Sequence, residues 1–249
     1  MRILFDFCTG CGSCVPYCPS QAISLTGATA DVDLALCTEC GTCRRVNVCP
    51  VEAIAESDVW GKPREIRAFF SDPVAVHPNT SIPGRGTEEV KTNDVTGRVR
   101  RGEVGIAIEV GRPCLGTTMN QVELITTALA PLGITYEKNN PMTALLVPDG
   151  SGRVKDEYRH ERLTSIIIEF TVDESDLEHV LAAVKEISAR IDTVFALDLV
   201  TCFDDQGGLL VLNRLEALGF APRPNAKVNL GLGRPAAPLY RSDAQGAGR

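Results

Sequence analysis

Residues 8–23 read CTGCGSCVPYCPSQAI and residues 37–54 read CTECGTCRRVNVCPVEAI. The two stretches are one pattern written twice. Each holds three cysteines at three-residue intervals (Cys8, Cys11, Cys14 and Cys37, Cys40, Cys43) and a glycine after the second (Gly12, Gly41). A Cys-Pro pair follows (Cys18-Pro19, Cys49-Pro50), then an Ala-Ile pair (Ala22-Ile23, Ala53-Ile54). Agreement at that many positions makes coincidence implausible. Eight of the ten cysteines fall between Cys8 and Cys49, and only Cys114 and Cys202 lie elsewhere.

Thiols at this density suit three chemistries. Paired CxxC motifs bind zinc, but a zinc site takes four ligands and gives no reason for the third evenly spaced cysteine or the reciprocal Cys-Pro. Disulfides need an oxidising compartment, and Met1 to Phe5 run into Asp6 and the cysteines without the long apolar stretch of a secretory signal. Three thiolates at this spacing can wrap one cube of iron and sulfide, with the fourth ligand arriving from another part of the chain.

The motif resembles that of the two-cluster [4Fe-4S] ferredoxins, in which the Cys-Pro cysteine ligates the other cluster. Carried over by position, the resemblance implies one [4Fe-4S] cluster on Cys8, Cys11, Cys14 and Cys49, and a second on Cys37, Cys40, Cys43 and Cys18. Gly12 and Gly41 let the backbone pass close to the inorganic core, and Pro19 and Pro50 redirect the chain after the crossing ligand. One departure stands out: five residues separate Cys43 from Cys49, against three between Cys14 and Cys18. The expansion contains Arg44 and Arg45. An oxidised cluster with four thiolates carries a charge of about −2, so these arginines either ease reduction, bind an acidic partner, or balance charge in a solvated loop.

The chain of 249 residues is long for one small module, which favours two domains. It carries 25 lysines and arginines against 32 aspartates and glutamates, for a net charge of −7, with no basic stripe of the kind that tracks phosphates. Nucleic acid is therefore not an expected partner. No apolar run approaches the roughly 20 residues of a membrane span. A cytoplasmic protein with no membrane association is expected.

The first domain is placed at residues 1–70, with Ile66 to Phe70 read as its closing strand. Residues 71–101 turn to Pro, Gly, Thr, Asn and charge and read as a connector, of a length that is usually either disordered or functional. Within it Glu88, Glu89, Lys91, Asn93 and Asp94 are candidate site residues. From residue 102 the pattern alternates: Val104, Ile106, Ile108 and Val110 mark a strand. A helix follows with Val122, Ile125, Leu129 and Leu132 on one face, opened by a Thr118–Gln121 capping box. Ile134 to Lys138 and Thr143 to Val147 read as extended, and residues 148–163 as a loop. Ile166, Ile168, Phe170 and Val172 mark the next strand, Leu177 to Ile191 a helix, and Val194 to Leu199 a last strand. This order, over residues 102–205, predicts an α+β fold of the split βαβ, ferredoxin-like kind, a fold name that implies no cluster. Residues 206–249 read as a C-terminal helix, Leu209 to Leu218, and an extended tail.

The stretches GRGTEEVKTNDVTGR, RRGEVGIAIEVGRP, IDTVFALDLV and RPNAKVNLGLGRP resemble the 6-hydroxynicotinate reductase-like proteins, which join a two-cluster ferredoxin module to further domains and reduce an electron-poor heterocycle. Arg112 and Arg234 each sit in a Gly-Arg-Pro tripeptide, and a guanidinium fork suits a carboxylate or phosphate as well as it suits a plain surface turn. Gly116, Thr117 and Thr118 lead into a helix N-terminus and complete a candidate anion-binding surface with the two arginines. Lys227 and Asn229 are further candidates. Cys114 and Cys202 read as small buried hydrophobes, and His77, His160 and His179 show no metal spacing. No nucleophile constellation or GxGxxG is present, and a flavin finds no supporting motif. The reading that follows is an iron-sulfur electron-transfer protein or subunit feeding a partner reductase. The alternatives are a complete reductase acting on a heteroaromatic acid, or a redox-linked ligand sensor.

Overall fold

The computed structural model describes residues 1–84, 97–112 and 115–222, which are mixed helix and strand. The first unit is small. Its strands β1 (Arg2–Ile3), β2 (Ile23–Thr26) and β3 (Thr29–Val32) are followed by the single-turn helix α1 (Thr42–Arg45) and by β4 (Ile54–Ala55). β2 and β3 form an antiparallel hairpin with Thr26 opposite Thr29. Gly27 takes the first loop position at φ 65°, which a two-residue II′ turn reserves for glycine. β1 pairs with β4 antiparallel, Ile3 opposite Ile54. The Ile of each Ala-Ile pair therefore lies in a strand, and the sequence repeat is a structural repeat.

Helix α2 (Glu65–Ser71) corrects the expected closing strand. A strand would point Ile66 and Phe70 the same way as Ala68, whereas a helix stacks residues four apart on one face. Ile66 and Phe70 use that spacing to enter the core of the second unit, while Arg67 turns back toward the first.

The second unit contains β5 (Glu103–Val110), β6 (Thr117–Thr118), α3 (Met119–Leu129), β7 (Arg162–Leu163), β8 (Ile166–Asp173), α4 (Leu177–Ser188), β9 (Phe195–Val200) and α5 (Leu210–Ala217). β5 is the middle of a three-stranded sheet ordered β8-β5-β9, with both neighbours antiparallel to it. Alternation decides the packing. Val104, Ile106, Ile108 and Val110 of β5 meet Ile166, Ile168, Phe170 and Val172 of β8 in one core with Val122, Ile125 and Leu129 of α3 and Leu177, Val180, Leu181, Val184 and Ile187 of α4. Burying each such side chain contributes about 1.5–3 kcal/mol. α4 carries Glu178 in its first turn and Lys185 in its last, the order that the helix dipole favours.

Two expectations fail locally. Of the two segments read as extended, Ile134 to Lys138 is reduced to a bridge from Tyr136 to Phe170 and Thr143 to Val147 to one from Leu146 to Val154, with Thr143–Leu145 in a 3-10 turn. Asn140 causes the break: its Oδ1 accepts the Met142 amide at 2.8 Å and turns the chain. The Thr118–Gln121 capping box is also absent, because Thr118 makes no side-chain cap and Gln121 Oε1 accepts the Asp192 amide at 2.7 Å. No helix among the described residues is long and apolar enough to cross a membrane.

Candidate metal centres

The eight clustered cysteines divide in space into two groups of four. Cys8, Cys11, Cys14 and Cys49 line one cleft of about 320 Å³, its open mouth included. Cys18, Cys37, Cys40 and Cys43 line another of about 290 Å³. Each group takes its Cys-Pro cysteine from the other half of the repeat. Apolar side chains wall the thiols in, Ile3 and Ile54 at the first cleft and Ile23 and Val32 at the second. Among the described residues no three His, Cys, Asp or Glu side chains close around a point as a lone ion requires. Four thiols lining each cleft match the four-thiolate ligand set of a [4Fe-4S] cluster.

The halves match in detail. The Ala22 amide donates to Cys18 Sγ at 3.1 Å, and the Ala53 amide to Cys49 Sγ at 3.2 Å. Gly12 and Gly41 both have positive φ, as do Gln21 and Glu52 just before the Ala-Ile pairs. At another matched pair, Gly10 and Glu39, the backbone is left-handed in both. Gly10 has no alternative, since a methyl there would overlap the Ala28 carbonyl. Glu39 keeps a side chain in the same conformation, which costs a non-glycine residue about 1–2 kcal/mol. Its carboxylate is held by Arg64, with Nη2 at 2.7 Å, and by the Met1 amine.

The two clefts differ in exposure. Cys11 is exposed, and hydrogen bonds from Ser13 hold its thiol below the ordinary range. Cys37 and Cys43 are buried, and burial pushes both thiols up, Cys43 to about 11 with help from the charges of Cys40, Cys37 and Cys18. Buried thiols resist ionising unless a metal takes the thiolate.

The second cleft is also gripped by arginines. Arg45 donates to the Cys40 carbonyl at 2.7 Å and pairs with Asp72 at 2.5 Å, while Arg44 pairs with Glu56 at 2.6 Å. The expansion arginines thus have partners within the chain. Arg64 Nη1 donates to the Leu34 carbonyl at 2.6 Å, and Arg67 Nη1 to those of Leu34 at 2.8 Å and Cys37 at 2.7 Å. Glu39, Arg64 and Arg67 were not among the sequence candidates. Their signal was Arg64 and Arg67 at i, i+3, which shares a face only if the segment is helical.

The remaining candidates are scattered. Arg112 is about half exposed at the end of β5, with Nη1 3.1 Å from Glu109 Oε2. Gly111 and Gly116 pack so closely on the Thr164 and Leu163 carbonyls that a methyl at either would come within 2.8 Å. Thr117 is buried and donates to the Thr118 carbonyl at 3.2 Å, and the Met119 amide donates to the Glu161 carbonyl at 3.0 Å. Arg234, Lys227, Asn229, Cys114 and the connector residues Glu88, Glu89, Lys91, Asn93 and Asp94 lie outside the described residues. Cys202 is half-buried after β9.

The family model for the 4Fe-4S dicluster domain matches residues 7–65, the stretch that supplies all eight of these thiols. The chain belongs to the 4Fe-4S dicluster ferredoxins. It is 31% identical over 100 residues to Ferredoxin Fdx2 of Sorangium cellulosum, covering 38% of this chain and 92% of that ferredoxin. It is 38% identical over 53 residues to the ferredoxin-like protein in the nif region of Azotobacter vinelandii, covering 20% of this chain and 58% of that one. Over 47 residues it is 45% identical to a component of the ion-translocating oxidoreductase complex of Methanosarcina acetivorans, of which it spans 17%, with 19% of this chain covered. No solved structure matches the chain. Iron-sulfur clusters and electron transfer are thus the chemistry of the ferredoxin unit.

Proposed function

We propose that the chain is an electron-transfer protein, or the electron-transfer subunit of a larger enzyme, that passes low-potential electrons to a partner reductase in the cytoplasm. In this reading Cys8, Cys11, Cys14 and Cys49 hold one [4Fe-4S] cluster, and Cys18, Cys37, Cys40 and Cys43 hold the other. Such clusters supply one-electron couples that need no bond to form or break in the protein. The amides of Ala22 and Ala53 donate to the ligand sulfurs and favour added negative charge. Ile3, Ile54, Ile23 and Val32 give the two clefts apolar walls. The observation that carries the reading is the division of eight cysteines into two clefts of four, each completed by the other half's Cys-Pro cysteine.

The second unit is read as the docking platform. Its strand, helix, strand, helix, strand order, with Tyr136 bridging to Phe170 where an edge strand would lie, supports the split βαβ, ferredoxin-like assignment. Anaerobic protein should carry about eight iron and eight sulfide, and Cys18→Ala should spoil the cluster held mainly by Cys37, Cys40 and Cys43. Reproducible zinc without sulfide would overturn the reading. The reduced protein should be reoxidised only when its partner is added.

A second reading, a 6-hydroxynicotinate reductase-like enzyme, is favoured by Arg112, whose guanidinium is about half exposed to solvent. In that reading Arg112, Gly116, Thr117, Thr118 and Arg234 would recognise a heteroaromatic carboxylate. Reoxidation by such an acid alone, lost in the Arg112→Ala, Arg234→Ala variant, would establish it.

A further inference from the structure

We propose that Arg67 is a positioning residue that makes the Cys18, Cys37, Cys40 and Cys43 site the more easily reduced of the two, and that Glu161 lets the second unit set how strongly it does so. The proposal rests on the ligation given above. Arg67 is 6% exposed, and its guanidinium spans the seam between the units. One face donates to the carbonyls of Leu34 and Cys37, while Nε pairs with the carboxylate of Glu161. Among the described residues the Cys8 to Cys14 loop receives no such hydrogen bond from an arginine or lysine, whereas Arg45, Arg64 and Arg67 all reach the Leu34 to Cys40 loop.

A buried cation beside a ligand loop lowers the cost of adding an electron there, because little water intervenes to screen it. Arg45 pairs with Asp72, and Arg64 shares Glu39 with the Met1 amine, all within residues 1–72. Arg67 differs in that its counter-charge comes from 94 residues further along the chain. Glu161 is itself fixed by the second unit: its carbonyl accepts the Met119 amide that opens α3, and its amide donates to Tyr158. Thr164 adds two contacts along the same seam, its amide to Ser71 Oγ at 2.9 Å and its hydroxyl near Thr38 Oγ1 at 3.3 Å. A shift of the segment around Glu161 would therefore draw the carboxylate from Arg67 and leave the cation less compensated beside Cys37.

The test is an anaerobic redox titration of the full chain followed by electron paramagnetic resonance, with each signal assigned by its loss in Cys43→Ala or Cys14→Ala. Arg67→Gln should move the potential of the Cys43-dependent signal to more negative values and leave the other signal in place, and Arg67→Lys should restore most of it. Glu161→Gln, which keeps the cation but removes its counter-charge, should move the same signal the opposite way. A purely structural role predicts the same direction for both variants, or a shift of both signals, and either would overturn the proposal, as would no shift. Should Arg67→Gln fail to assemble, Glu161→Gln decides alone: a positive shift supports the proposal, and none or a negative one ends it. Iron and sulfide content of the parent protein tests the ligation separately, since a full complement with unmoved potentials defeats only the role of Arg67.

Discussion

Residues 1–64 and the second unit bury very different things. The largest fully buried side chains, among them Ile106, Ile108, Met119, Ile125, Leu129, Ile168, Leu177 and Leu181, all belong to the second unit. The first buries Ala22, Ala30, Ala53, Cys14, Cys37 and Cys43 together with a few larger residues such as Ile3 and Ile23. It has two pairs of short strands and a one-turn helix, too little apolar surface for a unit of about 60 residues to be secure by burial alone. The crossed ligation proposed above would supply what packing does not: each half of the repeat would give one thiol to the other's cluster, so the metal would join the halves where a core does in the second unit.

Removing the metal is the severest test of that contrast. Stripping iron with a chelator under reducing conditions should abolish hydrogen-exchange protection across β2 and β3 while β5 and β8 stay protected. Equal loss in both units, or none in either, would mean that the first unit does not depend on its clusters. The converse experiment is Ile108→Ala at a site with 0% exposure. It should cost about 2–5 kcal/mol, appearing as a lower unfolding midpoint for β5 and β8 with iron content unchanged.

The contrast also explains what the sequence made legible. The cysteine repeat, β5, β8, α4 and β9 follow from local patterns: fixed ligand spacing in one case, a two-residue alternation or helical periodicity in the others. The grouping of the cysteines into two fours came from the resemblance to two-cluster ferredoxins, carried over by position within the repeat. What escaped was decided by tertiary contact. Ile66 to Phe70 is too short to show a period, and it becomes a helix because Ile66 and Phe70 enter the second core while Arg67 meets the Leu34 and Cys37 carbonyls. The guanidinium grip on the second cleft was hidden for the same reason. Gln121 looked like a capping residue until Asp192, distant in sequence, claimed its side chain.

His77 offers the finest adjustment, because it lies in the segment linking the two units. Its ring packs against Phe69 at 5.4 Å and edge-on to Phe70 at 4.7 Å, and Phe70 is part of the second core. Residues 76–83 fold back on themselves to keep it there, with the His77 amide donating to the Ile82 carbonyl at 3.1 Å and the Ser81 amide to the His77 carbonyl at 2.8 Å. His77 is buried, and burial lowers its pKa from 6.5, outweighing the opposing pull of backbone groups at Phe69 and Gly84. The folded state thus holds the ring neutral where the unfolded chain would protonate it. That preference adds stability above pH 6.5 and is lost as the pH falls below it toward the depressed folded value, at no more than about 1.4 kcal/mol per pH unit for one proton. His77→Phe, which keeps an aromatic ring against Phe69 and Phe70 but cannot titrate, should flatten the fall in second-unit stability between pH 7 and roughly pH 5. The measurement is the difference in unfolding midpoint between variant and parent at each pH. If the first unit draws its stability from thiolate ligation, as proposed, its own acid sensitivity should be the same in both proteins. A changed slope in iron retention instead would place His77 with the clusters and not with the core that Phe70 enters.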